Sequence, residues 1–512
     1  MMISGLVVTC RPWTLMSIVV GSSSWVPAIS TDFRFPVSLA FGHHCLSVMA
    51  VFLCHQSAWR EPMRRILLSA LFWGMAGGVA PAASPFPQVP LGPIPAFSGA
   101  EGAGAYSVGG RAGVVRIVTN LEDAGPGSLR AAVEDAGARM VVFATSGTIH
   151  LKKPLKIHND FITIAGQSAP GEGVTLADQP LIIAANHVVV RYLRVRLGDL
   201  SQTEGDAVSV TDGQHIILDH ISASWSVDET LSVSQKWKPG MKGLDHVTVQ
   251  WCLISESLNK SVHSKGEHGY GSLVRGSYGA RYSFHHNLWA HHKSRMPRPG
   301  NFIEADADPD GAVMDFRNNV FYDWHGDAGG YNVDKNAITT YNFINNAYLP
   351  GPGSQRQMAF RESAPLARAF FQGNAMAGTV PADPWSLVMG SERDGYRLNR
   401  PAEMLPVTTQ DALTAQGEVL ARAGASLRRD PVDQRVLAQV RDGKGGVINS
   451  QQDVGGWPLL PEMRGPLDSD GDGIPDAIEQ ERGLNPHDAA DGRRSGPDGY
   501  TVLEKYLAEL VR

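Results

Sequence analysis

The sequence predicts an all-β chain wound as a parallel β-helix, a solenoid, with a small calcium-binding module at its C-terminal end. Three observations point there. Short runs rich in β-branched and aromatic residues recur from Val188 onwards, each closed by a residue pair, and successive pairs stand about 27–35 residues apart. No long stretch of 3.6-residue period separates the runs, which disfavours alternating strands and helices. Asp468 to Glu479 then spells out a twelve-residue cation-binding loop.

The runs are Val188-Val189-Val190, His215 to Leu218, Val247 to Val249, Tyr282 to Phe284, Met314 to Phe316 and Tyr341 to Phe343. The pairs that close them are Arg191-Tyr192, Asp219-His220, Trp251-Cys252, His286-Asn287, Asn318-Asn319 and Asn345-Asn346. One turn of such a coil buries no core alone, so each must stack on its neighbours. The Asn pairs are expected to bond side chain to side chain at the bends, where Asn tolerates left-handed backbone. An all-β sandwich also shows short strands and turns and stands as the alternative. Thr409 to Ala423 and Val432 to Val440 carry helical spacing and are expected to wrap or cap the coil.

Length and composition set the frame. At 512 residues the chain is long enough for more than one domain. Its net charge of −6 and lack of a basic stripe exclude nucleic acid as the expected partner. Met63-Arg64-Arg65, the apolar run Ile66 to Val79 and Ala80-Pro81-Ala82-Ala83 form the pattern of a secretory signal peptide over 63–82. Residues 1–62 then read as an upstream extension of the gene, with translation starting at Met63. After cleavage only Cys252 remains of four cysteines, so no internal disulfide is expected. The expected product is a secreted monomer with no membrane span. Its β-helix occupies 83–455, a Gly/Pro-bearing linker 456–467 and a calcium-loop module 468–512.

In that last module, carboxylates stand at loop positions 1, 3, 5, 9 and 12 as Asp468, Asp470, Asp472, Asp476 and Glu479. Gly473 makes the sharp turn, and Ile474 is placed to lend its carbonyl. The residues beyond Glu479 depart from a paired EF-hand, so a single structural calcium module like a dockerin or thrombospondin-type repeat is expected. Val502 to Leu510 reads as a short helix docking back.

The basic segment Ser294-Arg295-Met296-Pro297-Arg298-Pro299 stands out on an acidic chain and suggests an anionic ligand. Glu204, Asp206, Asp228 and Glu229 lie upstream as oxygen donors for a hard cation. His285, His286, His291 and His292 alternate along a strand, which argues against one shared metal.

These features join a wider set: Phe97 to Gly102, Gly109-Gly110-Arg111, Val118 to Leu121, Gly125 to Arg130, Ile164 to Gly171, Leu218-Asp219-His220, Arg295-Met296-Pro297-Arg298 and Asp453 to Pro458. Over roughly 95–460 the chain resembles bacterial pectate lyases of polysaccharide lyase family 1. The resemblance implies a right-handed parallel β-helix and calcium-assisted β-elimination of polygalacturonate. It makes Arg295 the general base, with calcium and neighbouring cations such as Lys265 disfavouring its protonated form, and implies an alkaline optimum. Asp206 and Asp228 resemble calcium ligands, and Glu204, two residues from Asp206, is expected to join them. Ser232 stands where the family repeats a carboxylate, and Glu229 should face away if the segment is extended. Lys265 resembles the substrate-binding Lys better than Lys260. Arg298 is a substrate-carboxylate candidate, while Gly300 replaces a more distal Arg. Asp219 and His220 are assigned a structural role. A lyase or hydrolase on another acidic polysaccharide, or a non-catalytic carbohydrate-binding β-helix, are the rivals.

Overall fold

The computed structural model describes residues 94–512. Before them it describes only the strands Leu6–Thr9, Leu15–Val19, Phe35–Phe41 and His44–Leu53, a four-stranded antiparallel sheet in a unit of its own. The signal-like segment 63–82 and the expected start at Met63 lie outside the described residues.

From Val114 the chain coils into a parallel β-solenoid. Three faces recur in every full turn. One is a ten-stranded sheet running from Val114–Val118 to Ala367–Gln372, and the second is a nine-stranded sheet from Gly147–His150 to Ala375–Met376. The third has six strands from Leu155–Ile157 to Arg298–Gly300, with three more beyond them, Gly330–Asn332, Phe360–Glu362 and Val388–Met389. Pairing within all of them is parallel, as in Val188↔Ile216 and Leu253↔Leu288. The β-branched and aromatic runs read from the sequence are strands of the ten-stranded sheet, and the sandwich alternative falls away.

The turns are held by backbone that few residues tolerate. Tyr192, His220, Trp251, His286, Asn318 and Asn345 all lie at φ between 52° and 55°, one per coil at the exit of the ten-stranded sheet. Tyr192, His220, Trp251 and His286 stack ring on ring at 4.3–6.0 Å between centroids, which offsets the cost of the left-handed region. The residue after each turns inward. Asn287 donates to Asn319 (3.0 Å), Asn319 to Asn346 (3.0 Å) and Asn346 to Asn374 (2.8 Å), a fully buried amide ladder. The expected Asn stacking thus belongs to the second member of each pair and extends one coil further each way. Asn318 and Asn345 instead donate to the Gln410 carbonyl (2.8 Å each).

Two of the three outer faces are covered. On the nine-stranded sheet, helices Ala412–Arg422 and Pro431–Asp442 pack Val419, Val436, Leu437 and Val440 against Leu253, Leu288, Val320 and Ala347. They wrap the coil and do not cap its end. Buried Arg196 reaches from this sheet to Asp430 (2.7 Å) and Asp433 (2.9 Å) at the start of the second helix. The segment expected as a linker is fixed at its outset: Trp457 donates to the Arg196 carbonyl (3.1 Å) and meets Trp225 edge to face. Over the ten-stranded sheet, Phe97 and Ala100 sit on Val189 and Ile217, and the C-terminal tail sits on Met140 and Val142. The third sheet keeps the alternation of a half-open face, buried then part-exposed, as in Leu181–Ala184 and Val208–Asp212. Helix Leu129–Glu134 buries Leu129 and Val133 at the N-terminal end of the core. Among the described residues no helix is long and apolar enough to cross a membrane.

Candidate active site

The open third face collects the charged residues. Asp206 enters the strand Val208–Asp212, Asp228 and Glu229 enter Leu231–Ser234, Tyr270 enters Leu273–Arg275, and Arg295 enters Arg298–Gly300. Single parallel bridges join Glu229 to Tyr270 and Tyr270 to Ser294. Coil stacking therefore lines up residues that are distant in sequence.

Arg295 is the centre of this array. Its backbone is left-handed (φ 62°). Its guanidinium lies 3.9 Å from the Tyr270 ring centroid, ion-pairs with Glu229 and donates from Nε to the Tyr331 hydroxyl (3.4 Å). A stacked, hydrogen-bonded guanidinium is pre-oriented, which a flexible Lys would not be. The sequence singles out Arg295 but not Tyr270 and Tyr331, which the solenoid brings in from neighbouring coils.

Asp206, Asp228 and Glu229 each present a carboxylate oxygen, all within 4.8 Å of one another. Burial first, and then the Asp228 charge, push the Asp206 carboxyl up to about 7, against hydrogen bonds from Ser209 (2.8 Å) and Ser232. Carboxylates crowded this way fit a hard, oxygen-seeking cation. Glu229 was expected to face away; the segment 226–230 is irregular, not extended, and Glu229 turns into the cluster. Glu204 was expected beside Asp206, but no strand spans 204–206. Glu204 instead accepts from Ser264 at its amide (2.8 Å) and its hydroxyl (3.1 Å) and is exposed.

Two histidines flank the cluster. His268 Nε2 meets Asp228 at 2.9 Å, and the His263 ring stacks on it at 3.9 Å. His263 Nδ1 accepts the Lys265 amide proton (3.1 Å), so its Nε2 carries the ring proton and faces Asp228 at 3.7 Å. Lys265 itself is exposed at the rim. Arg298 and Arg275 share Asp334, at 3.4 and 2.7 Å. A Cβ at Gly300 would collide with Asp334, so that pair fills the space beside the glycine. Beyond Tyr331 a pocket of about 240 Å³ continues along the face, lined by Ser294, His325, Asp327 and Arg361.

Asp219 and His220 lie away from this face. Asp219 is fully buried and bonded to Arg191 and Gln250 (2.7 Å each). His285 and His286 meet each other through Nδ1 (2.9 Å), whereas His291 bonds Asp323 and His292 bonds Ser257 (2.7 Å each).

No protein-family model matches the chain. Whole-length relatives decide the matter. The probable pectate lyase C of Aspergillus flavus is 34% identical over 427 residues, covering 81% of this chain and 94% of the relative. The chain belongs to the pectate lyase family. It is a polysaccharide lyase. The probable pectate lyase C of Aspergillus fumigatus is also 34% identical, over 438 residues, 81% of this chain and 94% of the relative, and the probable pectate lyase 5 of Arabidopsis thaliana is 32% identical over 149 residues, 25% of this chain and 36% of the relative. Among solved structures, a pectate lyase bound to hexasaccharide aligns with 66% of the lyase at a TM-score of 0.45 and 13% identity, and covers 99% of that structure. The cedar pollen allergen Jun a 1 aligns with 64% at a TM-score of 0.43 and 17% identity, covering 92% of that chain.

Proposed function

We propose that the lyase is exported and cleaves polygalacturonate by calcium-dependent β-elimination on the open face of a right-handed parallel β-helix. One observation carries this reading: the oriented guanidinium of Arg295 stands beside the carboxylate cluster of Asp206, Asp228 and Glu229. The signal-like segment 63–82 supports export.

Elimination removes the proton on C5, next to the uronate carboxylate, and expels the O4 leaving group. Charge that develops on the uronate must be stabilised where it forms. Asp206, Asp228 and Glu229 would hold a calcium ion, which would supply Lewis acidity to stabilise that charge. Arg295 accepts the C5 proton, a role that requires its ion pair with Glu229 to be released first. Tyr270 and Tyr331 fix its plane. Arg298, half-buried beside Asp334 (3.4 Å), is the candidate for binding a neighbouring uronate. Exposed Lys265 is the candidate for another at the rim.

The reading is tested by incubating the protein with polygalacturonate and tracking the ultraviolet absorbance of the unsaturated C4–C5 product. Reducing ends without that absorbance would mean hydrolysis.

A further inference from the structure

The C-terminal tail gathers more buried acid than its loop motif accounts for. Glu479 is 0% exposed, and neither of its carboxylate oxygens has a hydrogen-bond partner among the described residues. Asp472 and Asp491 are each 1% exposed, and each also keeps one unpartnered oxygen, Oδ2 and Oδ1. These three carboxylates lie within 4.8 Å of one another. A second group, Asp468, Asp470 and Asp472, meets the same limit and shares Asp472 with the first. The cation nearest to hand is Arg494, 3.2 Å from Asp491 and 64% exposed. One exposed guanidinium does not compensate buried carboxylates that repel each other.

We infer that the tail binds one calcium ion through Asp468, Asp470, Asp472, Glu479 and Asp491, the last supplied from outside the twelve-residue loop, and that this ion fastens the tail to the first coils. Every donor is a carboxylate, with no His or Cys, which favours a hard cation. Calcium–oxygen distances of about 2.3–2.6 Å put ligand oxygens no more than roughly 5 Å apart, and the oxygens of each group keep within 4.8 Å of one another.

Asp476 stands at the ninth loop position but leaves the cluster. It accepts from the Ser469 amide and hydroxyl, both at 2.7 Å. Asp491 approaches from the far side. Its Oδ2 accepts from the Asn485 amide (2.9 Å), which leaves Oδ1 towards Asp472 and Glu479. The next residue must be glycine for this approach, because a Cβ at Gly492 would collide with Asp472. The ion thus ties the loop, helix Asp476–Arg482 and the turn at Asp491 into one knot. Ile474, Leu503 and Leu507 then seat the knot on Met140, Val142 and Ala165. This is the covered outer side of the ten-stranded sheet, separate from the face that carries Arg295, so the ion governs stability and not turnover.

The test uses the full chain, stripped with chelator and titrated with calcium by calorimetry, thermal unfolding and limited trypsin digestion at Arg493 and Arg494. Asp491→Asn keeps an acceptor for Asn485 but loses the charge. It and Glu479→Gln should weaken the tail's calcium binding at least tenfold, remove most of the calcium-dependent rise in Tm and expose the tail to trypsin. Turnover at saturating calcium should stay within twofold of wild type, which separates this site from the proposed reaction. Asp476→Asn should change none of these readouts more than twofold. Asp491→Asn with wild-type calcium binding and trypsin resistance would overturn the assignment. Should that variant not fold, the wild-type digest decides: equal cutting with calcium and with chelator contradicts the site.

Discussion

Glu229 has two claims on it: it ion-pairs with Arg295, and its carboxylate lies within 4.8 Å of ligand atoms on both Asp206 and Asp228. One side chain therefore joins the proposed base to the proposed cation site. Glu229→Gln keeps the shape and loses the charge. The calcium needed for half-maximal activity should rise by at least about 10–100-fold, the cost of losing even a group that only supports metal ligands. A calcium titration of initial rate reads this directly.

Arg295→Lys tests the base. Lysine keeps the charge but not the plane that stacks on Tyr270 and reaches Tyr331. Turnover should fall on the order of 100-fold or more, as for loss of a general base. Binding of oligogalacturonate, measured by calorimetry, should change by much less. Unchanged turnover would mean that another group takes the C5 proton.

How much of this was legible in the sequence depends on how local each signal is. The coil repeat was legible because each turn must supply one residue for the left-handed bend, and the pairs betray it. Their phase was not: the left-handed residue is the second of Arg191-Tyr192 but the first of Asn318-Asn319. Arg295, Asp206 and Asp228 stand out in short motifs. Tyr270, Tyr331 and the role of Glu229 depend on which coils stack, and Glu204 was misplaced by assuming a strand where the chain bends. Asp491 lies twelve residues beyond the loop it completes, so no loop motif contains it.

Helix Pro431–Asp442 is held to the coil by Arg196, which is 0% exposed and bonded to Asp430 and Asp433. Arg196→Ala leaves two buried carboxylates short of their partner. Stability should fall by about 3–5 kcal/mol, the cost of breaking a buried ion pair from one side. Urea unfolding measures it.

Glu362 gives a pH dependence that can be isolated. Burial raises its carboxyl from 4.5 to about 7, while bonds from Ala364 N (2.7 Å) and the Tyr341 hydroxyl (3.0 Å) work the other way. A carboxyl that holds its proton more tightly when folded stabilises the fold fully below pH 4.5. That contribution is lost as pH rises from 4.5 to 7. It amounts to about 3–4 kcal/mol at most. Glu362→Gln should flatten this part of the stability profile, so the difference between variant and wild type grows in the variant's favour with pH. A difference that stays constant over this window would show that Glu362 is already ionised in the folded protein at its lower end.

The most direct measurement of the central claim is absorbance of the unsaturated uronate product from polygalacturonate, with calcium and then with excess chelator. Elimination at a cation-loaded carboxylate cluster predicts a steady rise with calcium, its abolition by chelator and its return when calcium is restored. A rise that persists unchanged under chelator would contradict a role for Asp206, Asp228 and Glu229 as cation ligands in the reaction.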